Sequence, residues 1–244
     1  MERITKLTNI LLDLNKNSEH VDFKKADRNF LAEVSCREMA MAQQNILASG
    51  VVASELWKMW CRNRDVLPDQ ASKLRTELPQ NHILQRVLAE HELTLCSLAD
   101  LEDINNKIQQ FEFGSSVTME IRRLSQLALH LASLAQHSER EDQVIFPELN
   151  RRGYAGLLRG LDEQHGQINE RRRKLKDLVW QVDKMNFDTF KRQLKDIVDF
   201  LAAAMRMHIF IETNIIFPLA LEVISDKKVW DRMKDICDQI GYGF

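Results

Sequence analysis

Proline and glycine are scarce: the chain has four and eight of them in 244 residues, few for this length. Strand alternation is missing as well, and apolar residues recur at helical spacing almost throughout. The four cysteines, Cys36, Cys61, Cys96 and Cys237, are scattered and form no C-x-x-C. That argues against a disulfide framework and a zinc ribbon, and for a reducing compartment. A surplus of one charge is also lacking. A formal charge of -2 provides no basic stripe for nucleic acid or an anionic membrane surface. The opening residues from Met1 to Leu7 mix charged and apolar side chains, unlike a secretion signal, and no segment is expected to approach a membrane span. These absences together predict a cytoplasmic protein whose partners are neither nucleic acid nor membrane. What is present is charge, 29% of residues, interleaved with apolar positions as in a soluble, mostly helical protein. The length suits one large domain or two.

Helical periodicity predicts helices over about Arg3 to Asn15, Phe23 to Ala48 and Ala53 to Arg64, with Gly50 as a stop. Pro68 and Pro79 bracket a polar, charged stretch, and a domain boundary is expected there. Longer helices follow over about Ile83 to Gln110, Val117 to Leu149, Ala155 to Met185 and Phe187 to Val223, broken near Gly114, Arg151 to Gly153 and Asn186. Short connections make neighbours antiparallel, so the expected fold is all-α, an up-down-up-down four-helix bundle. The expected division is a small N-terminal helical domain over 1–78, the bundle over 79–224 and a C-terminal helix over 225–244. Pro147 and Pro218 sit late in two long helices, and a kink or stop is expected at each.

One pattern occurs twice. His137-Ser-Glu-Arg-Glu141-Asp-Gln-Val-Ile-Phe146-Pro147 returns as His208-Ile-Phe-Ile-Glu212-Thr-Asn-Ile-Ile-Phe217-Pro218. Residues i and i+4 share a helix face, so each copy aims an imidazole and a carboxylate the same way. The inward stripes read Leu84, Leu88, His91, Leu95, Leu98 on the first bundle helix and Leu127, His130, Leu134, His137, Glu141, Val144 on the second. They continue as Leu158, Leu161, His165, Ile168 on the third and Val198, Leu201, Met205, His208, Glu212, Ile215 on the fourth. His91 and His137 are equidistant in sequence from Gly114, His137 and His165 from Arg151, and His165 and His208 nearly so from Asn186. Equal separation from a shared turn means equal height, so the four imidazoles form one layer with Glu141 and Glu212 one turn above it. No lysine or arginine interrupts these stripes nearby, and two buried carboxylates without cations are costly. A pair of metal ions removes that cost. The six residues His91, His137, Glu141, His165, His208 and Glu212 then place two histidines on each ion with both glutamates bridging. Imidazole with carboxylate suits iron, or manganese, and leaves positions open for oxygen, nitric oxide, peroxide or an oxo or hydroxo bridge. Zinc fits less naturally, since its structural sites are closed at four ligands.

With these residues in view, the region from about His82 to Val223 resembles a hemerythrin-type HHE cation-binding domain. Glu90-His91, His137 with Glu141, the Glu-Gln-His165 stretch and His208 with Glu212 match that family's di-iron ligands. Oxygen-carrying hemerythrins add a fifth histidine on the third helix, where this chain has Leu161 and Asn169, and an aspartate where it has Thr213. The site is more similar to the four-histidine, two-glutamate di-iron proteins of nitrosative stress and iron-sulfur cluster repair, which points away from simple oxygen carriage. The N-terminal cysteine motif of those repair proteins is not found. Val34-Ser-Cys-Arg-Glu-Met-Ala-Met-Ala-Gln-Gln44, Leu56-Trp-Lys-Met-Trp-Cys61 and Val229-Trp-Asp-Arg-Met-Lys-Asp-Ile-Cys-Asp-Gln-Ile-Gly-Tyr242 resemble prokaryotic proteins that join an N-terminal helical domain of unknown function to a hemerythrin domain. Longer members add a PAS domain. Their Cys-Asp-x-His motif reads Cys61-Arg62-Asn63-Arg64 here. The resemblance implies a di-iron protein that binds or senses a small ligand, an enzyme reducing nitric oxide or peroxide or donating iron, or a regulator acting through a protein partner.

Other polar residues have plainer readings. His130, two turns before His137, is expected in the core or outside the metal ligands, His82 at a helix end and His20 in a loop. Cys96 reads as a small core residue, Trp57 and Trp60 as packing of the N-terminal helices, and Glu170-Arg-Arg-Arg-Lys174 as a solvated helix face.

Overall fold

Helix after helix forms where the periodic stretches run unbroken. The computed structural model describes residues 2–16, 25–63, 70–111 and 118–242, and all regular structure among them is helical. His20, Pro68 and the break near Gly114 lie outside the described residues. The N-terminal region holds α1 (Glu2–Lys16), α2 (Lys25–Ala32), α3 (Cys36–Ala48), α4 (Ala53–Arg62) and α5 (Gln70–Glu77). The single helix expected from Phe23 to Ala48 is two, because Ser35 caps α3. Its Oγ accepts from the Glu38 N–H at 3.1 Å, while the Glu38 carboxylate accepts from the Ser35 N–H at 3.1 Å. This S-x-x-E capping box satisfies donors that a new helix start leaves open. Gly50 ends the turn after α3 at φ +98°, where a β-carbon would be strained.

The bundle consists of α6 (Ile83–Gln110), an interrupted second helix, α10 (Ala155–Trp180) and an interrupted fourth helix. The second comprises α7 (Thr118–Ser133), α8 (Ala135–Arg140), a π turn over Glu141–Ile145 and α9 (Phe146–Asn150). The fourth comprises α11 (Phe187–Ile211), a π turn over Glu212–Ile216 and α12 (Phe217–Val223). α6 packs beside α7 and α11, as does α10, so α6 lies diagonal to α10 and α7 to α11. α13 (Lys227–Ile240) packs on α6, α8 and the first π turn.

The prolines do not stop the helices, and each stands in the first turn of an α-helical segment. Pro147 and Pro218 each follow a widened turn, in which Phe146 N–H bonds Glu141 O and Phe217 N–H bonds Glu212 O, five residues back. A proline has no N–H and would crowd the carbonyl four residues before it, and the extra residue of a π turn relieves that clash. The second helix also breaks at Leu134, where the His137 N–H bonds the Leu134 carbonyl at 3.1 Å, one residue closer than α-helical pairing. The expected unbroken helix from Val117 to Leu149 is therefore segmented on both sides of His137.

Among the described residues, two apolar clusters form the core. One joins Leu7, Leu11, Met39, Ile46, Leu56, Trp57 and Trp60 of the N-terminal helices to Leu84, Leu88, Phe146, Leu161, Ile215 and Phe217 of the bundle. The other, with Leu98, Leu124, Leu131, Ile168, Phe190, Leu201 and Met205, fills the far end of the bundle. His91, His137, His165 and His208 sit on their helices between these two sets. Leu95 and Cys96, expected inside, are exposed, because the helical turn carries them off the seam that His91 and Leu98 share. One segment corrects the expectation about membrane spans. Phe187–Val223 is long and apolar enough to cross a bilayer, but 67% of its most apolar window is buried, as in the core helix of a bundle.

Candidate metal centre

The polar layer brings all six predicted residues together. Their donor atoms form two groups, His91, His137, Glu141 and Glu212 in one and His165, His208, Glu141 and Glu212 in the other, and within each group these atoms lie within 4.8 Å of one another. Both glutamates belong to both groups. Glu141 has Oε1 at 3.4 Å from His137 Nε2 and Oε2 at 3.3 Å from His165 Nε2. Glu212 has Oε1 at 2.9 Å from His208 Nε2 and Oε2 at 3.3 Å from His91 Nε2. Both glutamates are fully buried and the four histidines nearly so.

Each imidazole is held from behind through Nδ1. His137 Nδ1 meets Glu90 Oε2 at 2.7 Å, His165 Nδ1 meets Asp142 Oδ1 at 2.7 Å, His208 Nδ1 meets Gln164 Oε1 at 2.8 Å and His91 Nδ1 meets Thr213 Oγ1 at 3.2 Å. Glu90 is itself bound by the buried Arg140. The Gln164 amide nitrogen donates to Ala204 O at 3.5 Å, which turns its oxygen to His208. A carboxylate or amide oxygen can only accept here, so Nδ1 carries a proton in His137, His165 and His208, and the neutral form of each ring presents its Nε2 lone pair to the centre. Phe146 stacks on His165 with centroids 5.7 Å apart and Phe217 on His91 at 5.6 Å, fixing the ring planes.

The centre thus gathers carboxylate oxygens and imidazole nitrogens in one buried layer. All four oxygens of Glu141 and Glu212, and Nε2 of His165 and His208, are buried without a hydrogen-bond partner. His91 Nε2 and His137 Nε2 face each other at 3.1 Å. Burial opposes ionisation of Glu212, yet His208, His165 and His91 hold its carboxyl well below the usual carboxylate range. Burial likewise opposes charge on His137 and His165, but the surrounding carboxylates outweigh it and raise both, His165 well above its ordinary value. His208 is lowered by burial. The cluster is a candidate cation site, and its donor set of imidazole and carboxylate is chemically fit for iron or manganese.

Residues 82–220 match the hemerythrin HHE cation-binding domain. The chain belongs to this family. Hemerythrin domains bind metal cations, typically iron, which agrees with the cluster. No curated protein matches the chain. The matched region spans the whole histidine and glutamate layer and both copies of the repeat.

Sequence reasoning missed the ring outside the six. Glu90, beside His91 in the matching stretch and outside the six, reaches across to His137. Asp142 has no role in the sequence reading, Gln164 enters it only within the Glu-Gln-His165 stretch and Thr213 only as a departure from the oxygen carriers. A signal for them exists: Glu90-His91 parallels Gln164-His165, and Glu141-Asp142 parallels Glu212-Thr213, so the repeat extends to the backing residues. Two buried arginines also correct the reading. Arg140 and Arg172 are 1% and 5% exposed, although no cation was expected near the stripes and Arg172 was placed on a solvated face. Glu170 and Lys174 do pair on that face at 2.5 Å, while Arg172 turns inward. His82 caps α6, its Nδ1 accepting from the Leu84 N–H at 3.2 Å, and His130 lies outside both donor groups.

Proposed function

We propose that this hemerythrin-family protein is a non-heme di-iron protein that binds or senses a small ligand, oxygen, nitric oxide or peroxide, in an oxygen, redox or nitrosative-stress response in the cytoplasm. His91 and His137 would hold one ion, His165 and His208 the other, and Glu141 and Glu212 would bridge them. The observation that carries this reading is the set of four buried carboxylate oxygens without a hydrogen-bond partner, facing the Nε2 atoms of four histidines. Iron in such a site supplies open coordination positions and one-electron redox chemistry. The residues of the chain orient the imidazoles, keep water away and compensate charge. The four-histidine, two-glutamate donor set supports kinship with di-iron repair proteins, and the N-terminal helices support kinship with the forms that add a PAS domain.

The test is metal analysis and an optical spectrum of protein purified without oxygen, then exposed to oxygen, nitric oxide or peroxide. Two irons per chain and a spectrum that changes with a ligand are expected. One tightly held zinc and no iron after growth in iron-replete medium would refute the reading. Sustained turnover of nitric oxide or peroxide, or transfer of iron to an apo iron-sulfur protein, would favour an enzyme instead.

A regulatory role has its own support. Phe146 and Phe217, which stack on His165 and His91, belong to the same apolar cluster as Leu7, Ile46 and Trp60 of the N-terminal helices. A change at the metals has a packed route to residues 1–78, which we assign as a separate N-terminal domain that carries the signal to a protein partner, with 79–224 as the bundle and 225–244 as the C-terminal helix.

A further inference from the structure

The two buried arginines differ in one respect. Arg140 is neutralised, its guanidinium bound to Glu90 and to the Gly241 carbonyl and lying over the Tyr242 ring. Arg172, two turns beyond His165 on α10, has no carboxylate bonded to it. Its Nη1 donates to Asn169 Oδ1 at 3.0 Å, its Nη2 lies 3.9 Å from Met205 Sδ, and its Nε has no partner. Burial lowers its pKa to about 10, with Glu141 acting on it only through space, so it remains a cation at neutral pH.

Arg172 lines a cavity of about 20 Å³ whose wall includes His91, His137, His165 and His208. That is room for roughly one water-sized group. Neither Glu141 nor Glu212 lines it. The wall is completed by residues such as Ile168 and Met205, one turn from the histidines on the side away from the glutamates. The cavity therefore opens on the face of the histidine layer that the bridging carboxylates leave free. Two divalent or trivalent ions held by two glutamates are incompletely neutralised, and a buried guanidinium with no carboxylate partner across the cavity adds to the positive potential. An anion between them is attracted from both sides, whereas a neutral diatomic is not.

We infer that this cavity is a small-anion subsite, in which Arg172 donates to a monoanion of the hydroperoxide, superoxide or azide type bound at the metal pair and selects it over neutral oxygen or nitric oxide. The inference rests on the di-iron reading and narrows its ligand. Arg172 acts here as a specificity-determining residue.

The experiment uses the iron-loaded full chain, with azide as the anionic probe and nitric oxide as the neutral one, each titrated optically. Arg172→Met should weaken azide binding about tenfold or more, the loss of one charge-assisted hydrogen bond, with nitric oxide affinity held within about threefold. Arg172→Lys should recover part of the azide affinity. Equal azide affinity in the unsubstituted and Met proteins, or a parallel loss of both ligands, would overturn the inference. If the Met variant fails to retain iron, the infrared stretch of azide bound to unsubstituted protein decides. A shift between H2O and D2O is expected from a guanidinium hydrogen bond, and its absence refutes one. A chain that takes up no iron, or that binds neither probe, overturns the di-iron reading itself. A chain that binds both probes without regard to residue 172 overturns only the role of Arg172.

Discussion

At the scale of single residues, every imidazole of the centre is held through Nδ1 and turns its Nε2 toward the glutamates. The backing acceptors Glu90, Asp142 and Gln164 set the tautomer of His137, His165 and His208, so a cation is the natural occupant of the space between the Nε2 atoms. Glu141 and Glu212 reach both donor groups, while His130 reaches neither. Replacing either glutamate by Ala should therefore lower iron from about two per chain toward one or none, the bridge of a carboxylate site being lost. His130→Ala should retain the full amount. Equal retention in all three variants, measured by elemental analysis, would remove the bridging role. A second expectation concerns protons. His165 has a raised pKa in the metal-free fold, so its charged form contributes stability that is fully present below the ordinary histidine value and is lost as pH rises through the raised one. A metal needs the same Nε2 lone pair. Loading iron(II) anaerobically near neutral pH should release protons, and apparent affinity should climb with pH until His165 is neutral. Calorimetry in buffers of different ionisation enthalpy measures this, and loading without proton release would contradict it.

Among the elements, the π turns and the close contact of α4 with α10 stand out. The span from Glu141 to Phe146, or from Glu212 to Phe217, is one i to i+5 hydrogen bond, so the spacing of the sequence repeat is the length of its π turn. Each letter of the repeat then has a place: histidine and glutamate face the centre, phenylalanine stacks on a neighbouring helix's imidazole, and proline follows the widened turn. At the other contact, a β-carbon on Gly160 would stand 2.6 Å from Ala53 Cβ and 2.9 Å from Trp57 Cη2. A β-carbon on Gly166, on the same helix, would meet nothing within 4 Å. Gly160→Ala should destabilise by about 1–3 kcal/mol through overpacking. Gly166→Ala should stabilise by up to about 1 kcal/mol, the helix propensity difference. Denaturant unfolding of the two variants checks the opposite signs. Equal shifts would mean that α4 does not press on α10 as described.

For the whole molecule, the histidine and glutamate layer lies between two apolar clusters, one of which is shared with the N-terminal helices. A metal that binds only the folded chain stabilises it by about 4 kcal/mol when present at 1,000 times its dissociation constant. At roughly 2–4 °C per kcal/mol for a chain of this size, removing iron should lower Tm by about 10 °C. Calorimetry before and after chelation tests this, and an unchanged Tm would show that the layer is stable empty. The same comparison by hydrogen exchange bears on regulation. Protection of Leu7, Ile46 and Trp60 should differ between reduced, oxidised and nitrosylated protein, since coupling requires a free-energy difference between states. Identical exchange in all three, with no state-dependent partner binding, would favour the catalytic reading.

The all-helical fold and the meeting of the six donors were legible in the linear chain, because helix periodicity and equal distances from the turns are local quantities that antiparallel packing converts into height. The capping box at Ser35 was legible in principle too, as a local S-x-x-E pattern overlooked within one apolar-periodic run. The backing ring was decided by the tertiary structure. Glu90 bonds a histidine 47 positions away and Thr213 one 122 positions away, and which helix lies beside which sets those partners. The inward turn of Arg172 was decided in the same way. Its neighbours in sequence are charged and solvated, and only the rotation of α10 against α11 brings its guanidinium to Met205 and the histidine layer. Periodicity names the face of a helix, but the rotation that presents that face is fixed by packing among all four helices at once.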